Sequence, residues 1–203
     1  MKRCKAKSCR QKFEPWNSLQ EACSVTCALE IASEKAEKKA RKDRARARKE
    51  RREFNRRDIQ WQHKQCQKVF NRMRVLEEIK WFRDRGLEPE CISCGKNGDF
   101  CCGHFKTVGA QSGLRYDRIN TYLQCNTSCN KGLSGNLNGN KHSRGYRQGL
   151  IERFGPEKAE EIERYCDSKT QPVKWDWQEM ERWRREWSAR IRELESELEG
   201  KAA

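Results

Sequence analysis

Cys91-Ile92-Ser93-Cys94-Gly95, Cys101-Cys102-Gly103-His104-Phe105, Asn120, Gln124-Cys125-Asn126-Thr127-Ser128-Cys129-Asn130 and Ser134-Gly135-Asn136 follow one another in the middle of the chain. The pairs Cys91/Cys94 and Cys125/Cys129 stand about thirty residues apart and suit one tetrahedral zinc site. A two-residue turn lets both thiolates of the first pair face one ion, and Gly95 permits the tight backbone after it. The second pair has the less common three-residue spacing, and Cys101 or Cys102 is an alternative donor for one position. A lone histidine, His104, lies between the pairs, after a glycine and before Phe105. An imidazole titrating near neutrality can take a proton from a water attacking a phosphodiester. A divalent cation would stabilise charge on the leaving oxygen, and the amide oxygen of Asn130 is a hard donor suited to such an ion. The stretch therefore reads as a zinc-stapled loop that carries a second, chemically active site.

Upstream, Cys4-x4-Cys9 and Cys23-x3-Cys27 form another set of four, so Cys4, Cys9, Cys23 and Cys27 are the ligands expected for a second structural zinc. Phe13, Pro15, Trp16 and Leu19 between the pairs are too few for an independent core, and metal binding supplies the missing folding free energy, of order 10 kcal/mol. Ser24 is placed to cap a helix that carries Cys27, as in the second half of a treble-clef finger. The finger's task, contact with DNA, docking of a protein or capping of the next helix, is left open by the sequence.

From Ala28 onward the chain is charged and alanine-rich. Residues 33–57 hold thirteen Lys/Arg against five Asp/Glu, and neither Gly nor Pro occurs from Asn17 to Arg85. Such residues favour helix, and oppositely charged pairs three or four apart support it. The expectation is a long basic arm in which Arg41, Arg44, Arg48, Arg51 and Arg52 meet phosphates; a solvated spacer is the competing account. From Trp61 to Phe82 one face becomes apolar, which predicts packing against the central module, while His63 reads as a surface histidine. Gly86 and Pro89 end the arm.

The totals agree with small modules joined by exposed helix. The 203 residues are 34% apolar and 37% charged, with a formal net charge of +15. That excess of cations favours a polyanion as partner. No apolar run approaches the roughly 20 residues that span a bilayer, and the basic N-terminus lacks the apolar core of a signal peptide, so a cytoplasmic, nucleoid-associated location is expected. Twelve cysteines in a reducing compartment point to metal more than to disulfides.

Beyond the central module, Lys141, His142 and Arg144 stand in a glycine-rich loop as candidates for phosphate contact, with plain loop roles as the alternative. Pro156 opens a helix that runs to about Tyr165. From Trp177, the residues Met180, Trp183, Trp187, Ile191, Leu194 and Leu198 recur at helical steps. This stripe predicts either a helix folded onto its own chain or a coiled-coil seam of a homodimer. The organisation expected is a finger over 1–29, a helical arm over 30–86, a central module over 87–145 and a helical tail over 146–203.

Gly103-His104-Phe105, Asn120, Gln124-Cys125, Cys129-Asn130 and Ser134-Gly135-Asn136 together resemble the HNH, or ββα-metal, endonuclease motif. More narrowly, with the N-terminal finger, the Cys-Ile-Ser-Cys-Gly knuckle, the charged helix and the helical tail, they resemble the phage NinG proteins over most of the chain. The resemblance implies an α+β, mostly α fold: a treble-clef-like finger, a long basic helix, a zinc-stapled ββα-metal module and a helical tail. It implies a hairpin carrying His104 and a helix beginning near Asn130. It further implies that His104 is a general base, that Asn120 orients the histidine's loop, and that Asn130 is a ligand of a catalytic Mg²⁺ or Mn²⁺. The substrate implied is branched recombination DNA in a bacterial host, with no small-molecule substrate and no membrane. One departure concerns the cation: the family pattern favours aspartate three residues before the histidine, where this chain has Cys101, with Asp99 two residues earlier. Asp99 and Cys101 are thus the further candidates for the catalytic cation, and a thiolate suits a softer ion than Mg²⁺. The alternative function is a non-catalytic, zinc-dependent DNA-binding recombination accessory.

Overall fold

A computed structural model of the chain describes residues 1–131, 138–140 and 143–200. Ser134-Gly135-Asn136, Lys141 and His142 lie outside the described residues. The chain divides into two compact units, Met1–Arg56 and Arg57–Ala203.

The first unit begins with a small antiparallel pair, β1 (Lys2–Arg3) and β2 (Lys12–Phe13), followed by helix α1 (Val25–Arg57). Ser24 starts the helix by accepting a hydrogen bond from the Cys27 backbone N–H at 3.2 Å, which satisfies one of the orphan donors of the first turn. Cys4, Ala6, Ala22 and Cys27 form a small buried cluster. Beyond it α1 is exposed almost throughout, with Cys27 as its buried residue. Its charged, alanine-rich composition therefore carries the helix without a packed face.

The arm expected as one helix is two. Asp58 lies outside helical geometry, and its side chain accepts from the N–H groups of Gln60 at 2.8 Å and Trp61 at 3.2 Å, so it caps a new helix, α2 (Ile59–Arg83). An aspartate in that position stabilises a helix start by about 1 kcal/mol.

In the second unit α2 buries Cys66, Phe70, Met73, Leu76 and Phe82. The hairpin of β3 (Phe100–His104) and β4 (Thr121–Cys125) pairs Phe100 with Cys125 at one end and His104 with Thr121 at the other. A six-residue π-helical turn, Asn126–Lys131, follows β4 and carries Cys129. Three helices complete the unit: α3 (Tyr146–Phe154), α4 (Pro156–Ser168) and α5 (Trp177–Glu199).

Two cores grip the hairpin. One gathers Ile92, Phe105, Leu114, Tyr122, Tyr146, Leu150 and Ile162. The other joins Phe70, Met73 and Leu76 of α2 to Cys102 and to Leu194 of α5, with Trp187, Ile191 and Leu198 packed against it. The apolar stripe of the tail is thus laid against α2 of its own chain. Gly149 shows how tightly α3 meets the cysteine knuckle: a Cβ there would lie 1.6 Å from the Ile92 carbonyl oxygen.

Candidate active site

Both cysteine sets converge. The Sγ atoms of Cys4, Cys9, Cys23 and Cys27 lie within 4.8 Å of one another, and so do those of Cys91, Cys94, Cys125 and Cys129. Separations of 3.4 Å for Cys9–Cys23, 3.7 Å for Cys23–Cys27 and 3.8 Å for Cys94–Cys125 match the edge, about 3.8 Å, of a tetrahedron built on Zn–S bonds of about 2.3 Å. All eight cysteines are free thiols. The Cys125 backbone N–H donates to the Cys91 sulfur, 3.2 Å away. The donor sets therefore fit two zinc ions, the second at the base of the hairpin.

His104 closes β3 at the opposite end from that site. Its Nε2 lies 3.0 Å from the Arg115 carbonyl oxygen. A carbonyl only accepts, so Nε2 carries the proton and the Nδ1 lone pair is the basic one. Burial pushes the His104 pKa below its ordinary value; the Arg115 carbonyl opposes that shift and the Arg115 cation adds to it. The neutral, proton-accepting ring is thereby favoured.

Asn120 is fully buried and ties down the loop that leaves His104. Its Oδ1 accepts from the Lys106 N–H at 2.8 Å, and its Nδ2 donates to the carbonyl oxygens of Lys106 at 3.0 Å and Leu114 at 3.3 Å. One side chain thus bridges both ends of the loop whose Arg115 carbonyl receives the His104 proton. Thr121, the register partner of His104, is held from the other side: Arg74 of α2 donates to its Oγ1 at 3.0 Å and to its carbonyl oxygen at 2.7 Å. The buried Arg74 pairs with Glu78 at 3.0 Å, and Glu78 accepts in turn from Arg153 at 2.7 Å. Arg153 stacks its guanidinium 4.1 Å from the Trp81 ring centroid. Arg115 and this Arg74–Glu78–Arg153 chain belong to no sequence motif; the fold brings Arg115 to the histidine and the ion chain to its strand partner Thr121.

The candidate cation ligands fall elsewhere. β3 runs regularly from Phe100 to His104, so Cys101, an odd number of residues away, projects from the opposite face to His104. Its thiol donates to the Gln124 carbonyl oxygen at 3.3 Å, and burial pushes its pKa up to about 11. Asp99 is exposed before the strand, and its carbonyl oxygen accepts from the Asn126 N–H at 2.9 Å at the zinc end of the hairpin. Asn130 stands next to Cys129 in the π-helical turn. Among the described residues, the groups of His, Cys, Asp and Glu close enough to share an ion are the two four-cysteine sets, and neither contains Asp99, Cys101 or His104. The structure therefore does not gather Asp99 and Cys101 around His104 as ligands of one catalytic cation.

Arg144 pairs with Glu152 and with Glu90 at 3.2 Å and donates to the Ile92 carbonyl oxygen at 3.3 Å, bracing the knuckle. His63, expected at the surface, is half-buried: its Nδ1 meets the Tyr116 hydroxyl at 2.9 Å and its ring packs edge-on to Trp175. Arg41, Arg44, Arg48, Arg51 and Arg52 are all exposed on α1. Arg41, Arg44, Arg48 and Arg52 share one face, where they line a shallow groove with Ala45 and Lys49. Among the described residues no helix is long and apolar enough to cross a membrane.

Comparison with known proteins gives a consistent relationship. No solved structure matches the chain. Protein ninG of Salmonella phage P22 is 32% identical over 181 residues, which cover 80% of this chain and 80% of that protein. Protein ninG of Escherichia phage lambda is 30% identical over 181 residues, 80% of this chain and 79% of the relative. Protein ninG of Escherichia phage 933W is 39% identical over 85 residues, 41% of this chain and 39% of the relative. The family model described as bacteriophage lambda NinG protein matches residues 1–197, and the chain therefore belongs to the NinG family of phage proteins.

Proposed function

We propose that this protein is a structure-selective DNA endonuclease of the HNH type, acting on branched recombination intermediates such as D-loops and four-way junctions with Mg²⁺ or Mn²⁺. The observation that carries the reading is the 3.0 Å contact between His104 Nε2 and the Arg115 carbonyl oxygen. It leaves Nδ1 as a base at the loop end of a hairpin whose other end holds four thiols. In this reading Nδ1 takes the proton of the attacking water, and Asn120 fixes the loop that orients the ring. Arg115, whose charge already bears on His104, stands beside the reacting phosphate. A bound divalent cation would stabilise charge on the leaving oxygen; since Asp99 and Cys101 do not meet His104, no step is assigned to them. The exposed arginines of α1 supply sequence-independent affinity for phosphates, which weakens as salt rises. Matched cuts in a four-way junction call for two such sites, hence a pair of chains.

The second reading, a DNA-binding accessory without cleavage, draws on the placement of Cys101 on the face of β3 away from His104. Incubation of a synthetic junction panel with Mg²⁺, Mn²⁺ or chelator separates the two. The nuclease reading expects cation-dependent nicks near the branch point. Tight junction binding with intact strands under every ion would favour the accessory.

A further inference from the structure

The N-terminal unit carries a surface that the proposed chemistry does not use. Trp16, Leu19 and Val25 are 92%, 86% and 77% exposed, unusual for large apolar side chains in a chain with a mean hydropathy of −1.17. They open into a groove of about 520 Å³ whose further walls are Ala28, Ile31 and Ala32 on one face of α1. That volume takes a few apolar side chains, and an exposed apolar groove on a polar protein marks an interaction site.

One lysine, Lys35, and one acid, Glu21, line the groove, and Lys5 beside them tips the local balance to one positive charge: Glu21 is paired on both oxygens, with Lys5 at 2.5 Å and Lys35 at 2.6 Å. Those two contacts, with Lys35 the larger cause, hold the Glu21 carboxyl down to about 2. Both lysines are largely exposed, so two cations share one carboxylate beside the apolar walls. Residues 1–56 as a whole carry eighteen Lys/Arg against eight Asp/Glu.

We propose that this groove docks an acidic protein segment bearing two or three apolar side chains. Apolar anchors fill the groove, and the segment's carboxylates complement the lysine rim. A second copy of this chain would bring the same excess of positive charge to the contact. Nucleic acid would find phosphate partners on the rim, but the polar groups of the lining are already engaged with backbone: Gln20 accepts from the Trp16 N–H and donates to the Ala22 carbonyl oxygen, and Ser24 accepts from the Cys27 N–H, while the remaining walls are largely apolar. This inference does not rest on the nuclease reading.

The test is fluorescence anisotropy of a labelled synthetic peptide rich in Asp and Glu and ending in Phe and Leu, titrated with the full-length zinc-loaded protein. The comparators are the same peptide with Ser for Phe and Leu, the same peptide with Asn and Gln for its acids, and a labelled single-stranded oligonucleotide. Binding of the first peptide is expected to exceed that of either altered peptide at least tenfold. Leu19→Asp is expected to weaken it by roughly tenfold or more, the loss anticipated when one buried leucine contact becomes a carboxylate facing acids. Because Leu19 is exposed, the variant should keep the wild-type far-UV spectrum; Trp16→Ala serves as the second variant and should weaken binding likewise. Equal binding of the serine peptide, or unchanged binding by both variants, would overturn the proposal. So would a loss of oligonucleotide affinity equal to the loss for the peptide, which would give the groove to nucleic acid. A dimer seen in sedimentation and abolished by Leu19→Asp would give it to a second copy and overturn the proposal as well.

Discussion

The His104 Nε2 and the Arg115 carbonyl oxygen lie 3.0 Å apart, joining the last residue of β3 to the loop that returns to β4. This contact selects the tautomer and, with burial, the charge state. Burial disfavours the imidazolium, so the His104 pKa falls below the ordinary value of about 6.5. The neutral base is then present at neutral pH and is lost only as pH falls through the lowered value. NMR titration of the His104 ring should give a midpoint below 6.5, and the cleavage rate should fall on the acid side with the same group. A midpoint at or above the ordinary value would contradict the environment described. His63 is also lowered, by burial and then by the Arg115 charge, so a His63→Gln variant is needed to assign the two rings.

Asn120→Ala should loosen the loop before it changes the hairpin. The substitution removes four hydrogen bonds, one of them from the Cys166 thiol, and strands the Lys106 N–H and carbonyl groups beside a buried position. Leaving buried backbone groups unpaired costs about 1–3 kcal/mol each. A urea titration should show a loss of about 2–4 kcal/mol with an unchanged slope, and cleavage should drop more than DNA binding does. A variant as stable and as active as wild type would remove Asn120 from its positioning role.

The buried ion chain beneath Thr121 makes Glu78 a sharp test of how the hairpin is held. Glu78 accepts from both Arg74 and Arg153, and all three side chains are at least nine-tenths buried. Glu78→Ala leaves the buried Arg153 without its carboxylate and Arg74 with Glu77 at 2.6 Å as its remaining partner, and breaking such a buried pair costs about 3–5 kcal/mol. Chemical denaturation is the measurement, and a cost under about 1 kcal/mol would show that solvent reaches the site.

Metal content tests the two cysteine sets directly. Elemental analysis should find two zinc ions per chain, and Cys91→Ala should leave one. The ion lost in that variant staples the base of the hairpin, so the near-UV signal of the second unit should collapse with it. Structural zinc contributes of order 10 kcal/mol to such modules. Unaltered zinc content in Cys91→Ala would refute the assignment.

How much of this was legible beforehand depends on whether the cause is local. Zinc ligand sets are local spacings, and both sets of four cysteines come together as their spacing implies. The Ser24 cap is likewise a property of a few neighbouring residues. Asp58 was readable in principle, but in so charged a run an aspartate looks like one more helix-surface partner, and its capping role shows only in the backbone. The parity of Cys101 against His104 was also available, since an offset of three reverses the face of a regular strand. What no local pattern carries is the long-range packing: the Arg115 carbonyl on His104, the Arg74 guanidinium on Thr121 and the seating of α5 on α2. Arg144 illustrates the converse, a loop cation that tertiary structure spends on Glu90 and Glu152.

Single-turnover cleavage of a four-way junction by wild type and His104→Ala, at protein concentrations that saturate binding and with Mg²⁺ or Mn²⁺ present, bears most directly on the central claim. Removing the general base should lower the rate by roughly 10²–10⁴ while junction affinity stays within a factor of about two. Equal rates for the two proteins, or no cleavage by the wild type under either cation, would contradict the assignment of His104 as the base of a working nuclease.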